Sequence, residues 1–228
     1  MRSFEEIEAL AAEKKGGAKK LKALLAEHNL PKSEAELTTT GDDRWLSMFT
    51  RCVFQAGFSW KVIDQKWPGF EEAFEGFDVA RLAFLPDEAF EALLKDTRIV
   101  RNGAKIKAVQ DNAVFLRDLA AEHGSAAAFF ASYPVSDQIG LMDLMKKRGS
   151  RLGGTTGQLA LRFMGKESFI LTGDVVNALI RENVIDNDRM SKKNLSAAQA
   201  AFNDWKTTSG RSLNEISRIL AFSVGPAH

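Results

Sequence analysis

Apolar residues recur along this chain at intervals of three and four. Phe4, Ile7, Leu10 and Ala11 form one such set, and Leu46, Phe49, Val53 and Phe54 another, the spacing that lines one face of a helix. Strict alternation of apolar and polar residues is nearly absent, so the pattern predicts an all-α protein. Ile106, Val109, Ala113, Leu116 and Leu119 or Ala120 outline one of the longer helices, over 106–119. Turn chemistry sets breaks at Gly16-Gly17, at Asn29-Leu30-Pro31, at Trp67-Pro68-Gly69, at Pro86 ahead of an acidic first turn, and at Tyr133-Pro134. Asp42, Asp78, Ser136 and Ser212 are the expected N-caps. Two further helical stretches, 137–145 and 159–164, flank a glycine-rich turn.

The first forty residues differ from the rest. Lys14, Lys15, Lys19, Lys20 and Lys22 surround the Gly16-Gly17 break, and a polar connection follows over 33–40. Residues 1–40 are therefore read as an N-terminal helical arm packed on a main domain of 41–228. Its lysines either face water or reach for DNA.

Composition adds exclusions. A chain 45% hydrophobic and 27% charged is globular. Apolar runs such as 126–131 fall short of the roughly 18 residues that span a bilayer, and the first ten residues carry Glu5, Glu6 and Glu8. Neither a membrane span nor a signal peptide is expected, and the reading is of a cytoplasmic, nucleoid-associated monomer. Cys52 is the single cysteine, and His28, His123 and His228 are the only histidines. No disulfide, no Cys/His zinc cluster and no cofactor are expected. The histidines also offer no nucleophile–base pair, which argues against a Ser/His/Asp hydrolase.

A formal net charge of +1 hides a local excess: over 141–166, Lys146, Lys147, Arg148, Arg151, Arg162 and Lys166 face Asp143 as the one acid, a balance of +5. Within it lies the run from Lys146-Lys147-Arg148-Gly149-Ser150-Arg151 to Leu152-Gly153-Gly154-Thr155-Thr156-Gly157. Glycines let a backbone approach phosphate closely, and the free N–H groups opening the next helix favour an anion. Lys146, Lys147, Arg148, Gly149, Arg151, Gly153, Gly154 and Thr155 are thus phosphate-binding candidates; the alternative is a plain αα-hairpin. A second constellation is Gln55-Ala56-Gly57-Phe58-Ser59-Trp60. Trp60 either stacks on a flat heterocycle or belongs to the core. Cys52 is either a small buried hydrophobe or a thiol lining a pocket.

These residues carry a family resemblance. Gln55 to Trp60, Phe70-Glu71-Glu72-Ala73-Phe74, Phe77-Asp78, Ile99-Val100-Arg101-Asn102-Gly103-Ala104-Lys105-Ile106-Lys107-Ala108 and Asn112-Ala113 resemble the 3-methyladenine DNA glycosylase I family. Lys146-Lys147-Arg148-Gly149 and Gly153-Gly154-Thr155-Thr156 are similar to its helix–hairpin–helix. The resemblance covers roughly 42–180 and implies an all-α helix–hairpin–helix DNA glycosylase fold. It implies a monofunctional N-glycosylase acting on duplex DNA that contains alkylated bases. Such an enzyme flips an alkylated purine such as 3-methyladenine into a pocket and hydrolyses its glycosidic bond. It also implies that Trp60 stacks on the base, with Cys52, Gln55 and Ser59 around it, and that Gly153, Gly154 and Thr155 hold phosphate.

The departures from the family are specific. Eight residues before Trp60 the family has a glutamate that binds the base; here Cys52 stands there. The His-x-x-x-Cys of its zinc site is replaced by Asp174 and Ala178, which implies that the zinc site is lost. Broader relatives carry a catalytic aspartate after the hairpin helix. The alignment sets Thr172 at its place, and Asp174 is either a displaced catalytic carboxylate or an N-cap. Lys146 and Lys147 are read as phosphate contacts, so no lyase amine is assigned. The loss of the glutamate leaves a noncatalytic protein that grips bent or damaged duplex as the alternative. The stretch after Ile180, ending in a helical pattern over 212–221, is expected to tie the termini together.

Overall fold

The computed structural model describes residues 2–26 and 30–224. His28, His228 and Asn29 of the expected Asn29-Leu30-Pro31 break lie outside them. The chain folds into α1 (Phe4–Lys14), α2 (Ala18–Ala26), α3 (Glu34–Thr38), α4 (Asp42–Gln55), α5 (Trp60–Ala73), α6 (Val79–Ala83), α7 (Asp87–Lys95), α8 (Gly103–His123), α9 (Ala126–Ser132), α10 (Gln138–Arg148), α11 (Thr155–Met164), α12 (Gly173–Arg181), α13 (Lys192–Ser209) and α14 (Leu213–Phe222), with two short 3₁₀ turns at Glu75–Phe77 and Val135–Asp137. The all-α expectation holds, and no strand occurs among the described residues. None of these helices is long and apolar enough to cross a membrane.

The helices divide into two compact units. One comprises Met1–Lys32, Pro134–Gly140 and Glu167–His228, the other Ser33–Tyr133 and Leu141–Lys166. The division differs from the expected arm and main domain. α1 and α2 group with the C-terminal helices, because Phe4, Ile7, Ala11 and Leu21 are buried in one core with Leu179, Phe202, Trp205, Ile216 and Leu220. Glu8 pairs with Arg211, and Arg218 donates to the Leu24 and Leu25 carbonyls at the end of α2. The C-terminal segment thus joins the N-terminal helices through α14.

The other unit is built on α4 and α8, which pack against each other. At 21 residues, α8 is about 31 Å long and outruns the expected 106–119 at both ends. Asn102 caps its start, accepting from Lys105 N at 3.1 Å, and Gly124 at φ +85° ends it. Ala108, Asn112 and Phe115 are buried besides the expected apolar stripe, so the helix is covered on more than one side. It touches α4, α6, α7 and α9. Trp45 of α4 stacks on Phe130 of α9 with ring centres 4.4 Å apart. Trp67, Phe70, Phe74 and Phe77 form a run of near-parallel rings. Fully burying rings of this size stabilises by about 1.5–3 kcal/mol each.

Several expected boundaries move for identifiable reasons. Pro68 does not break α5: the helix runs through it and loses only the one hydrogen bond that proline cannot donate. Gly69 is there for packing, since a Cβ would lie 2.7 Å from the Arg98 carbonyl oxygen. Asp78 and Ser212 cap α6 and α14 as expected. Asp42 does not cap its own helix, whose N-cap is Gly41. Its carboxylate instead accepts from Ala126 N and Ala127 N, 3.1 and 2.9 Å away, at the start of α9. Ser136 falls within the second 3₁₀ turn; Asp137, beside it, accepts from Gly140 N at the start of α10.

Candidate base and phosphate site

Four of the expected site residues meet where α4 hands over to α5. Cys52 and Gln55 occupy the last turn and a half of α4, Gly57 turns the chain at φ +77°, Ser59 is the N-cap of α5 and Trp60 its first residue. Trp60 is 46% exposed, so the core reading of this tryptophan fails. Its indole meets Phe163 of α11 edge-on, with ring centres 6.1 Å apart. Phe58 beside it is also exposed. Cys52 is 3% exposed, and burial pushes its thiol up to about 12, with Arg51 opposing. A thiol held that high is neutral near pH 7 and serves as a small apolar group.

The loop between α4 and α5 is fixed by Lys105, which the sequence analysis did not single out. Its side chain is buried, and Nζ donates to the Phe54 and Ala56 carbonyls at 3.1 and 2.6 Å, capping the end of α4. The ammonium also lies 4.4 Å from the Phe58 ring centre. Burial lowers the Lys105 pKa, and the nearby Arg151 cation lowers it further. A lysine interrupting the apolar pattern at the start of α8 was the available signal.

Residues 149–154 join α10 to α11 as a tight turn, so the helix, glycine turn and helix expected from the sequence are present, from 138 to 164. Gly154 is the N-cap of α11 at φ +60°, ψ −141°, a region open essentially to glycine. It has no side chain to cap with, so the opening N–H groups of α11 are not claimed by an N-cap. Gly157 packs under the turn: a Cβ would lie 2.3 Å from the Leu152 carbonyl oxygen. Asn112 of α8 pins the apex, its Oδ1 accepting from Ser150 N at 2.8 Å and its Nδ2 donating to Ser150 O at 3.0 Å.

The basic residues of this stretch play different parts. Lys146 and Arg151 are exposed and form no ion pair with a described residue, and the Lys146 stem runs over Gly153. Thr155 is exposed at the first position of α11. Lys147 pairs with Asp143. Arg148 holds both oxygens of Glu122, at 3.1 and 2.6 Å, and lies over the Phe115 ring. Lys166 is buried, donating to the Ala131 and Tyr133 carbonyls at 2.9 and 2.6 Å at the end of α9. The +5 excess therefore overstates the charge presented to solvent.

Asp174 belongs to the other unit. The N-cap of α12 is Thr172, whose hydroxyl accepts from Val175 N at 3.3 Å. Asp174 is not the cap expected from the sequence: Thr172 already has the extended backbone of a cap, and Asp174 lies inside the first turn. There its exposed carboxylate favours the positive end of the helix dipole.

The arrangement of helices is that of the helical DNA glycosylases. The fold matches a structure of Methanocaldococcus jannaschii 8-oxoguanine glycosylase/lyase in complex with a 15mer DNA containing 8-oxoguanine, over 95% of this chain and 96% of that one, with a TM-score of 0.56 at 14% identity. It also matches Staphylococcus aureus 3-methyladenine DNA glycosylase I, over 64% of this chain and 85% of that one, with a TM-score of 0.51 at 20% identity. The methyladenine glycosylase family model matches residues 36–156, and the chain belongs to that family. DNA-3-methyladenine glycosylase 1 of Escherichia coli strain K12 is 36% identical over 59 residues, 26% of this chain. That stretch spans only 32% of the E. coli protein's length.

Proposed function

We propose that the protein is a monofunctional DNA N-glycosylase that hydrolyses the glycosidic bond of a flipped alkylated purine such as 3-methyladenine in duplex DNA. The observation that carries this reading is the joining, in one unit, of exposed Trp60 to the glycine turn: Trp60 touches Phe163 on α11, whose uncapped start closes that turn. A pure phosphate grip has no use for an indole kept 46% exposed, whereas an extruded base gains stacking from it.

The chemistry asks little of a nucleophile. A purine alkylated at N3 is cationic and a good leaving group, so the enzyme binds it, excludes competing water and steadies the developing sugar cation. Trp60 offers the ring face. The turn holds a backbone phosphate through the N–H groups of α11, with Lys146 and Arg151 as the cations. Asp174 is included as the carboxylate that steadies the sugar cation. Being exposed inside a helix rather than spent as a cap, it is available to a substrate.

The test is release of free base from methylated duplex DNA by the purified protein. Release of 3-methyladenine that is abolished by Trp60→Ala supports the proposal, and a slower rate in Asp174→Asn assigns the carboxylate. Salt-sensitive duplex binding without release contradicts it and favours a noncatalytic binder.

A further inference from the structure

Asp64 lies one helical turn beyond Trp60 on α5, so the two side chains share a face of the helix. Three hydrogen bonds reach its Oδ1: from Arg51 Nε at 3.1 Å, from the same guanidinium's Nη2 at 2.8 Å and from Gln55 Nε2 at 3.1 Å. No described residue donates to Oδ2, and the side chain is 45% exposed. Gln55 is only 5% exposed, yet its Oε1 has no hydrogen-bond partner. The amide cannot be turned over to relieve this, because Oε1 would then face a carboxylate oxygen, acceptor against acceptor.

One hydrogen bond therefore joins two side chains that each keep an idle acceptor, one of them buried, and Trp60 sits a turn away. Buried acceptors are rarely left unpaired, and their natural complement is a group with two N–H donors. Charge does not favour a cation here, because Arg51 already neutralises Asp64; what is missing is donors. The residue standing eight before Trp60, Cys52, is a buried neutral thiol and supplies no acceptor of this strength.

We propose that Asp64 and Gln55 form a base-reading subsite that accepts the exocyclic amino group of a purine stacked on Trp60. The inference rests on the base-excision reading above and deepens it. It makes the enzyme selective for amino-bearing, adenine-type lesions over their oxo counterparts, in which an acceptor faces the two acceptors.

The experiment titrates the tryptophan fluorescence of the purified protein with free 3-methyladenine and with 3-methylhypoxanthine, beside base release from methylated duplex. Asp64→Asn keeps an oxygen for Arg51 and Gln55 and places an NH2 where the idle oxygen stood; Gln55→Met removes the orphaned acceptor in similar volume. Wild type is expected to bind the amino base at least about tenfold tighter than the oxo base. Asp64→Asn is expected to lose about 10- to 100-fold in affinity for the amino base while melting normally, and Gln55→Met to lose the preference. An unchanged preference in Asp64→Asn overturns the subsite and leaves the glycosylase reading standing. If free base does not bind but wild type releases base, an Asp64→Asn release rate equal to wild type also overturns it. A wild type that neither binds nor releases base overturns both.

Discussion

Replacing Asn112 by alanine removes the contact that fixes the apex of the glycine turn. Asn112 is almost fully buried, and its amide makes two bonds of 2.8 and 3.0 Å to the backbone of Ser150. The alanine variant leaves the Ser150 N–H and C=O without partners. A buried group so orphaned costs about 1–3 kcal/mol, but Ser150 is only half-buried and water recovers part of the loss. The expected destabilisation is about 2–3 kcal/mol, read as a lower urea midpoint at unchanged slope. Asn112→Asp is the sharper variant. It can still accept from Ser150 N but turns a second oxygen toward the Ser150 carbonyl, so it is expected to lose as much as alanine or more. Both variants are expected to weaken duplex binding at concentrations of urea-free buffer where they remain folded, because the turn that presents the α11 N–H groups is no longer held. An alanine variant within about 0.5 kcal/mol of wild type, with duplex affinity intact, refutes the argument.

Glu71 accepts from Arg44, Ser47 Oγ and Trp67 Nε1. Desolvation pushes its pKa up, but these bonds outweigh it and the net shift is downward from 4.5. A carboxyl lowered in the folded state contributes stability that is present above pH 4.5 and lost as pH falls through the folded value; Glu71→Gln is therefore expected to melt lower at pH 7 and to lose less on acidification, checked by thermal melts across pH 2–7. Cys52, with its thiol pushed up to about 12, is expected to resist a thiol reagent at pH 8 until the protein unfolds, and Cys52→Ser to leave base release within a few-fold of wild type. Lys146→Ala and Arg151→Ala are each expected to flatten the dependence of log duplex affinity on log salt by about 0.9. Lys147→Ala is expected to change the slope less, since that ammonium pairs with Asp143.

The helices were legible because their apolar spacing is: the sets at Phe4, at Leu46 and at Ile106 each fall on a buried helix face. Pro68 and Gly69 misled because local turn chemistry looks the same whether a glycine breaks a helix or lets the Arg98 backbone come close. Charge counting singled out the glycine turn, yet Lys166 and Arg148 are spent on the Tyr133 carbonyl and on Glu122, pairings of residues 33 and 26 positions apart that no local count contains. Trp60 could not be separated from core tryptophans by sequence, since Trp45 in the preceding helix has a similar apolar context and is fully buried. Lys105, Asn112 and Asp64 went unnoticed for the same reason: each draws its meaning from a partner on another helix.

The central claim is that exposed Trp60 and the glycine turn serve excision of an alkylated purine. Its most direct test is the quantity of free 3-methyladenine released from methylated duplex by wild type and by Trp60→Ala at equal folded concentration. The account predicts release by wild type and a loss of at least about a hundredfold in Trp60→Ala, as expected when stacking worth about 1–3 kcal/mol and the extruded geometry are lost together. Equal release by the two proteins, or none by either while both bind duplex, contradicts it.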